Sequence, residues 1–320
     1  MALSRRLRKD AVMRLLEGGA ALAQRCNRRQ VNLILSVALR VVKACLPLRI
    51  RLARNMKAAE LYRRGLVDLH FDRAADQMRM LMHVLRAGFQ ASGACDRFQF
   101  DESFRHLDAI RASGRGALII SPHLCGYPLF PRVLADRFPC SIYLRRSPDP
   151  RKHKINMMVG AAGDGHLVYP PPDSARSERL FVALRVLREG RGLYLTPDLP
   201  RKPHEGTPVH VLGQRTYFPA GVAIMAMRTR VPIVMVDWHW SDGAYRVRCH
   251  EPLDPATLRS RSEAAGSIMR LFAARMDEAV RSHPEMWWNW LDKRWTRLLR
   301  TGSAHADPTG PRAIPRGTRV

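Results

Sequence analysis

The stretch Gly116-Ala117-Leu118-Ile119-Ile120-Ser121-Pro122-His123 decides the fold. A short apolar run, rich in β-branched residues and bounded by Gly114 and Pro122, reads as a buried strand. Runs of the same kind recur outward from it, at residues 140–144, 192–196, 231–236 and 245–249. Helical stretches lie between them at 129–137 and 180–189 (ended by Gly190), and another follows at 262–281. Strands alternating with helices predict an α/β fold, a layered and mostly parallel sheet flanked by helices. Upstream, residues 57–90 read as helical, with few Gly or Pro to interrupt them.

The 320 residues carry a formal net charge of +26, which points to an anionic partner rather than to a fold. Residues 1–64 hold 16 Lys or Arg against Asp10, Glu17 and Glu60, a local net of +13. Within this segment, residues 31–48 are apolar except for Asn32, Ser36, Arg40 and Lys43, whose spacing puts them in one narrow stripe of a helix. An ordinary packed helix with one solvent edge fits the pattern. So does a helix lying in a bilayer surface, with Arg40 and Lys43 reaching for phosphates. The chain therefore divides into a basic, apolar membrane-associating helical segment (1–50), an α/β domain (51–299) and a basic, disordered tail (300–320). The N-terminus is too charged to lead directly into a signal peptide. Six cysteines without CxxC spacing read as reduced thiols, and the scattered histidines predict no metal. No helix-turn-helix, RNA-recognition or zinc-finger signature accompanies the charge, so nucleic acid is not the expected partner.

Two places could carry chemistry. His123 directly follows the first strand of the sheet, and sites in open α/β folds form beyond the carboxyl ends of strands. Asp198 likewise follows a strand, so it can approach the same edge of the sheet. Arg201 and Lys202 beside it could hold an anionic head group or a carrier phosphate. Without those placements, residues 198–221 would read as a polar loop punctuated by turn-forming glycines.

These elements resemble the bacterial lipid A biosynthesis acyltransferases over roughly residues 48–295. Arg54-Asn55-Met56 is similar to the family's early Arg-Asn-hydrophobic element, and Gly116 to His123 to its strand-and-histidine element. Arg145 or Arg146 stands where the family has an Arg after the next strand. Asp198, Gly206, Leu212-Gly213 and Pro219-Ala220-Gly221 keep the spacing of its Asp-Gln block. Pro284-Glu285, Trp288, Trp290 and Arg294-Trp295 match its ending with one extra residue. The resemblance implies a transferase at the cytoplasmic face of the inner membrane, peripheral or monotopic. It would move an acyl chain from acyl carrier protein or coenzyme A to a hydroxyl of a lipid acceptor, with no cofactor beyond the acyl thioester. It also implies His123 as general base, and substrate contacts from Arg145, Arg146, Arg201, Lys202, Gly206, Gly213, Pro219 and Gly221.

Three places depart from the family. The acidic partner expected five residues after the histidine is Pro128, the family's Gly-Asn is Cys125-Gly126, and the Gln after the block's Asp is Leu199. Asp198 is the first candidate for a substitute acid, with Asp164 and Glu205 behind it. A non-catalytic, lipid-binding relative is the alternative. Cys125 reads as a small loop or core cysteine, the alternative being a nucleophile that takes the acyl group as a thioester with His123 as its base. The indoles of Trp287, Trp288, Trp290 and Trp295 suit either a membrane interface or core packing.

Overall fold

The computed structural model describes residues 21–143, 176–258 and 261–302, with short pieces at 14, 17–19, 150 and 167–168. Arg145, Arg146 and Asp164 lie outside the described residues, as does most of the basic tail.

The chain forms a mixed α/β fold around a seven-stranded sheet. Its strands are β1 (Phe98–Phe100), β2 (Ala117–Ile120), β3 (Cys140–Tyr143), β4 (Leu167–Val168), β5 (Gly192–Leu195), β8 (Ile233–Ser241) and β9 (Ala244–Cys249). They lie side by side in the order β1-β9-β8-β2-β5-β3-β4. All neighbours run parallel except β8 and β9. The expected run 245–249 is thus the return arm of a hairpin. Asp242 and Gly243 both adopt positive φ (50° and 78°), as a two-residue hairpin turn requires. Strands β2, β5 and β8 form the middle of the sheet, and Ala117 to Ile120 are fully buried, which explains their uninterrupted apolar sequence.

Helices α1 (Arg28–Ala44), α2 (Leu46–Ala58) and α3 (Leu66–Ala87) precede the sheet; α4 (Arg105–Ala112) follows β1 and α5 (Phe130–Ala135) follows β2. Then come α6 (Arg176–Arg188), α7 (Gly221–Thr229), α8 (Arg261–Ser282) and α9 (Lys293–Gly302). The expected single helix over 57–90 is broken. The chain turns between Ala58 and Leu66, where Glu60 (φ 59°) and Gly65 (φ 82°) take left-handed conformations. Residues 198–221, for which a polar loop is the alternative reading, contain a second hairpin, β6 (Gly206–Val211) against β7 (Gln214–Pro219). Leu212 and Gly213, both at positive φ, turn it.

Helix α1 is capped by Asn27 and Gln30 in a reciprocal box. Its Val31 packs with Met82 and Leu85 of α3. Lys43 does not reach outward from the stripe: it pairs with Asp72 on α3, while Arg49 of α2 pairs with Asp68. Leu33, Ile34, Val37, Val41 and Leu46 are exposed, Val41 to 68%. Among the described residues no single helix is long and apolar enough to cross a membrane; α1 and α2 pass that test only together, with a 64° bend between them.

Candidate active site

His123 and Asp198 each stand three residues beyond the ends of adjacent strands. Ile120 of β2 lies in register with Leu195 of β5, so the two loops leave the sheet at one level and their side chains meet. His123 Nδ1 is hydrogen-bonded to Asp198 Oδ1, and the His123 backbone N–H donates to Asp198 Oδ2 at 2.9 Å. A carboxylate can only accept, so the proton of the neutral imidazole sits on Nδ1 and the lone pair on Nε2. Nε2 accepts from the Thr196 hydroxyl at 3.1 Å.

Asp198 has no exposed surface. Its Oδ2 also accepts from Trp287 Nε1 at 3.2 Å and from Asn289 Nδ2 at 3.0 Å. Burial alone would raise its pKa. The His123 imidazole, its backbone N–H and the Trp287 indole outweigh that effect and hold the carboxyl below its ordinary value. Four donors on one buried carboxylate make a fixed anion, not a mobile surface acid.

The His123 loop is itself anchored. Gly126 N–H donates to Gln77 Oε1 at 2.7 Å, Trp238 Nε1 to the Cys125 carbonyl at 2.7 Å, and Trp288 N–H to the His123 carbonyl at 2.8 Å. Gly126 sits at φ 95°, and a Cβ there would come within 2.9 Å of the Phe98 ring. Tyr127 packs edge-on to the imidazole, with ring centroids 4.8 Å apart. Burial pushes its phenol up to about 12, so it stays neutral at physiological pH. Pro128 lies in the same turn, between Gly126 and α5.

A cavity of about 620 Å³ opens beside this pair. Leu180, Leu195, Pro219, Val222, Ile224 and Met225 make it largely apolar, and Thr196, Arg201 and Glu205 supply its polar lining. Such a shape suits a long apolar chain with a polar end. Of the expected substrate contacts, Arg201, Pro219 and Gly221 line the cavity; Lys202, Gly206 and Gly213 do not. Gly206 is needed because a Cβ would meet the Phe218 carbonyl oxygen at 2.5 Å, and Gly213 because it turns the hairpin. Glu205 lies by His204, not His123.

Two alternatives left open by the sequence are settled by burial. Cys125 is fully buried and its thiol is held protonated, burial being the main cause; it is no nucleophile. Trp287, Trp290 and Trp295 have no exposed surface and do not face a membrane. Trp295 Nε1 donates to the Asp198 backbone carbonyl at 2.8 Å, and Trp290 Nε1 to the Pro284 carbonyl at 2.7 Å. Asn55, in the early Arg-Asn element, is buried and donates to the Trp290 carbonyl and to the Thr296 hydroxyl, tying α2 to α9. Sequence reading missed Asn289 and the contact of Trp287 with Asp198, and it missed Thr196. Only the Thr-Pro-Asp spacing after β5 hinted at the last of them.

The histidine–carboxylate pair at the strand ends of this layered, mostly parallel sheet, with the apolar cavity alongside, is the candidate site of an α/β domain. The model of the bacterial lipid A biosynthesis acyltransferases matches residues 9–297, and the chain belongs to that family. That family is membrane-associated, and its reaction takes an acyl donor and a lipid acceptor. No curated protein matches the chain.

Proposed function

We propose that the protein transfers a fatty acyl group from a thioester, carried by acyl carrier protein or coenzyme A, to a hydroxyl of a membrane lipid such as a lipid A precursor. His123 is the general base. Its Nε2 takes the acceptor's hydroxyl proton, and Asp198 holds the imidazole in the tautomer that leaves Nε2 free of hydrogen and stabilises the imidazolium that forms. The carrying observation is the His123–Asp198 contact. It supplies from β5 the carboxylate that Pro128 cannot supply from the His123 loop. The apolar cavity takes the acyl chain, and Arg201 meets an anionic group at its mouth. No cofactor beyond the thioester is needed.

The exposed apolar face of α1, with the basic residues around it, docks the protein on the cytoplasmic face of the inner membrane. The test is transfer of a labelled acyl group from an acyl thioester to extracted membrane lipid. The wild-type protein should transfer, and His123→Ala should abolish it without unfolding the protein. A wild-type protein inert with both carrier types, yet able to bind the lipid, would favour the non-catalytic reading that Pro128 raises.

A further inference from the structure

A second cavity, of about 590 Å³, lies between α1, α3 and the short turn at residues 90–93. Arg28 and Asn32 of α1, Arg79 and His83 of α3, and Arg97 before β1 supply its basic and amide lining. Two acids line it as well. Asp76 is taken up by Arg97 and by the Tyr245 hydroxyl, which donates to it at 3.0 Å, and Asp96 is exposed. Among the described residues no carboxylate pairs with Arg28 or Arg79. His83 is buried, and its Nε2 donates to Asn32 Oδ1 at 3.0 Å, which leaves the lone pair on Nδ1. That Nδ1 is buried and has no hydrogen-bond partner. An orphaned ring nitrogen is costly, and here it belongs to a cavity with two guanidiniums that lack a counter-charge.

The cavity stands at the catalytic end of the sheet. Ile120, the last residue of β2, lies in register with Met235 of β8, and Trp240 is past that level on the His123 side. Trp240 is in register with Tyr245, and Tyr245 with Phe98, the residue after Arg97. Helix α3 also carries Gln77, which holds Gly126 of the His123 loop. Helix α1, whose N-terminal turns line the cavity, exposes Leu33, Ile34, Val37 and Val41.

We infer that this cavity binds the phosphate of a membrane phospholipid head group, with Arg28 and Arg79 on its oxygens and His83 Nδ1 as a further donor. Guanidiniums suit phosphate because they give it paired, charge-assisted hydrogen bonds. The volume lies in the range that encloses a small organic group rather than a lone ion. The choice of a lipid rests on the docking of α1 proposed above; the phosphate site itself does not. Burial, then Arg28 and Arg86, holds His83 below its ordinary pKa, so it is neutral at physiological pH. A phosphate beside Arg28 offsets that repulsion and gives a protonated Nδ1 an acceptor. Binding therefore raises the His83 pKa.

The experiment titrates the full-length protein, in a non-ionic detergent, with inorganic phosphate, sn-glycerol 3-phosphate and dihexanoyl phosphatidylglycerol. The histidine Cε1–H signals are followed by NMR, and His83→Gln assigns the one that matters. That signal should move and saturate with the last two probes, and its titration midpoint should rise. Arg28→Gln with Arg79→Gln should weaken binding by about tenfold or more. Arg63→Gln with Arg64→Gln removes equal charge from the exposed turn after α2 and should leave binding within about twofold. A His83 signal that no probe moves, or that moves alike in both double variants, overturns the site. Inorganic phosphate bound as tightly as dihexanoyl phosphatidylglycerol overturns its assignment to a lipid. The readout needs no acyl donor, so failure of acyl transfer would leave this result standing.

Discussion

Replacing Asp198 by Asn tests the site most directly, because shape is kept and only the pattern of donors and acceptors changes. The carboxylate faces His123 N–H, Trp287 Nε1–H and Asn289 Nδ2–H on Oδ2, and His123 Nδ1–H on Oδ1. An amide offers a single oxygen. Three donors converge on the Oδ2 position, so the amide oxygen settles there and its NH₂ turns toward Nδ1. Nδ1 must then accept, which moves the ring proton to Nε2 and leaves no base facing the cavity. In the well-studied serine-protease triad the same tautomer reversal costs about 10⁴ in kcat, equivalent to about 5 kcal/mol of barrier. A loss of that order is expected here, with circular dichroism unchanged. Because three hydrogen bonds survive without the charge and the fourth is reversed rather than lost, stability should fall by only about 1–3 kcal/mol. Asp198→Asn protein that is folded and transfers within threefold of wild type would refute the pairing as the source of catalysis.

Three further outcomes follow from the geometry. Restoring the family's acid with Pro128→Glu should leave transfer within about threefold of wild type, since Asp198 already holds Nδ1; a large gain would mean that Asp198 is not the working acid. Aspartate at Val37 and Val41, both exposed on α1, should reduce sedimentation with anionic vesicles while changing stability by less than about 0.5 kcal/mol each, and unchanged sedimentation would remove α1 from the docking surface. His70 is buried against the Glu285 carbonyl, and burial lowers its pKa from 6.5 to about 4. The unfolded chain therefore takes up this proton at higher pH than the native one, so stability is full above pH 6.5 and falls by roughly 3 kcal/mol as pH drops to 4. His70→Gln, whose amide can still donate to Glu285, should lose that share of the slope in urea titrations at the two pH values, and parallel wild-type and variant curves would contradict it.

The sequence made the middle of the sheet legible because β2 and β5 are buried on both faces, which leaves an apolar signature that no helix of that length shares. The same logic put His123 and Asp198 at one edge, since parallel neighbours deliver the residues after their ends to one place. The two hairpins were harder to read. Pro203, Pro208 and Pro219 around β6 and β7 mask an alternating strand pattern. The Asp242-Gly243 turn, a strong hairpin signal, is the only local mark that β9 runs back against β8. The donors to Asp198 left no local trace at all. Trp287 and Asn289 reach the carboxylate from 89 and 91 residues away, and a tryptophan-rich segment reads equally well as membrane anchor or core until its indole N–H groups are seen to end on Asp198 and on the Asp198 and Pro284 carbonyls.

The distance along the chain between Asp198 and Trp287 also orders events in time. A growing polypeptide that has just passed residue 198 holds the base and the acid, but the acid would be a buried charge short of two of its donors. At about 5–20 residues per second, ribosomes need roughly 4–18 s more to deliver Trp287 and Asn289. The N-terminal helices are made long before. The protein thus has helix α1 early in translation and completes the hydrogen-bonded shell of Asp198 only near the end.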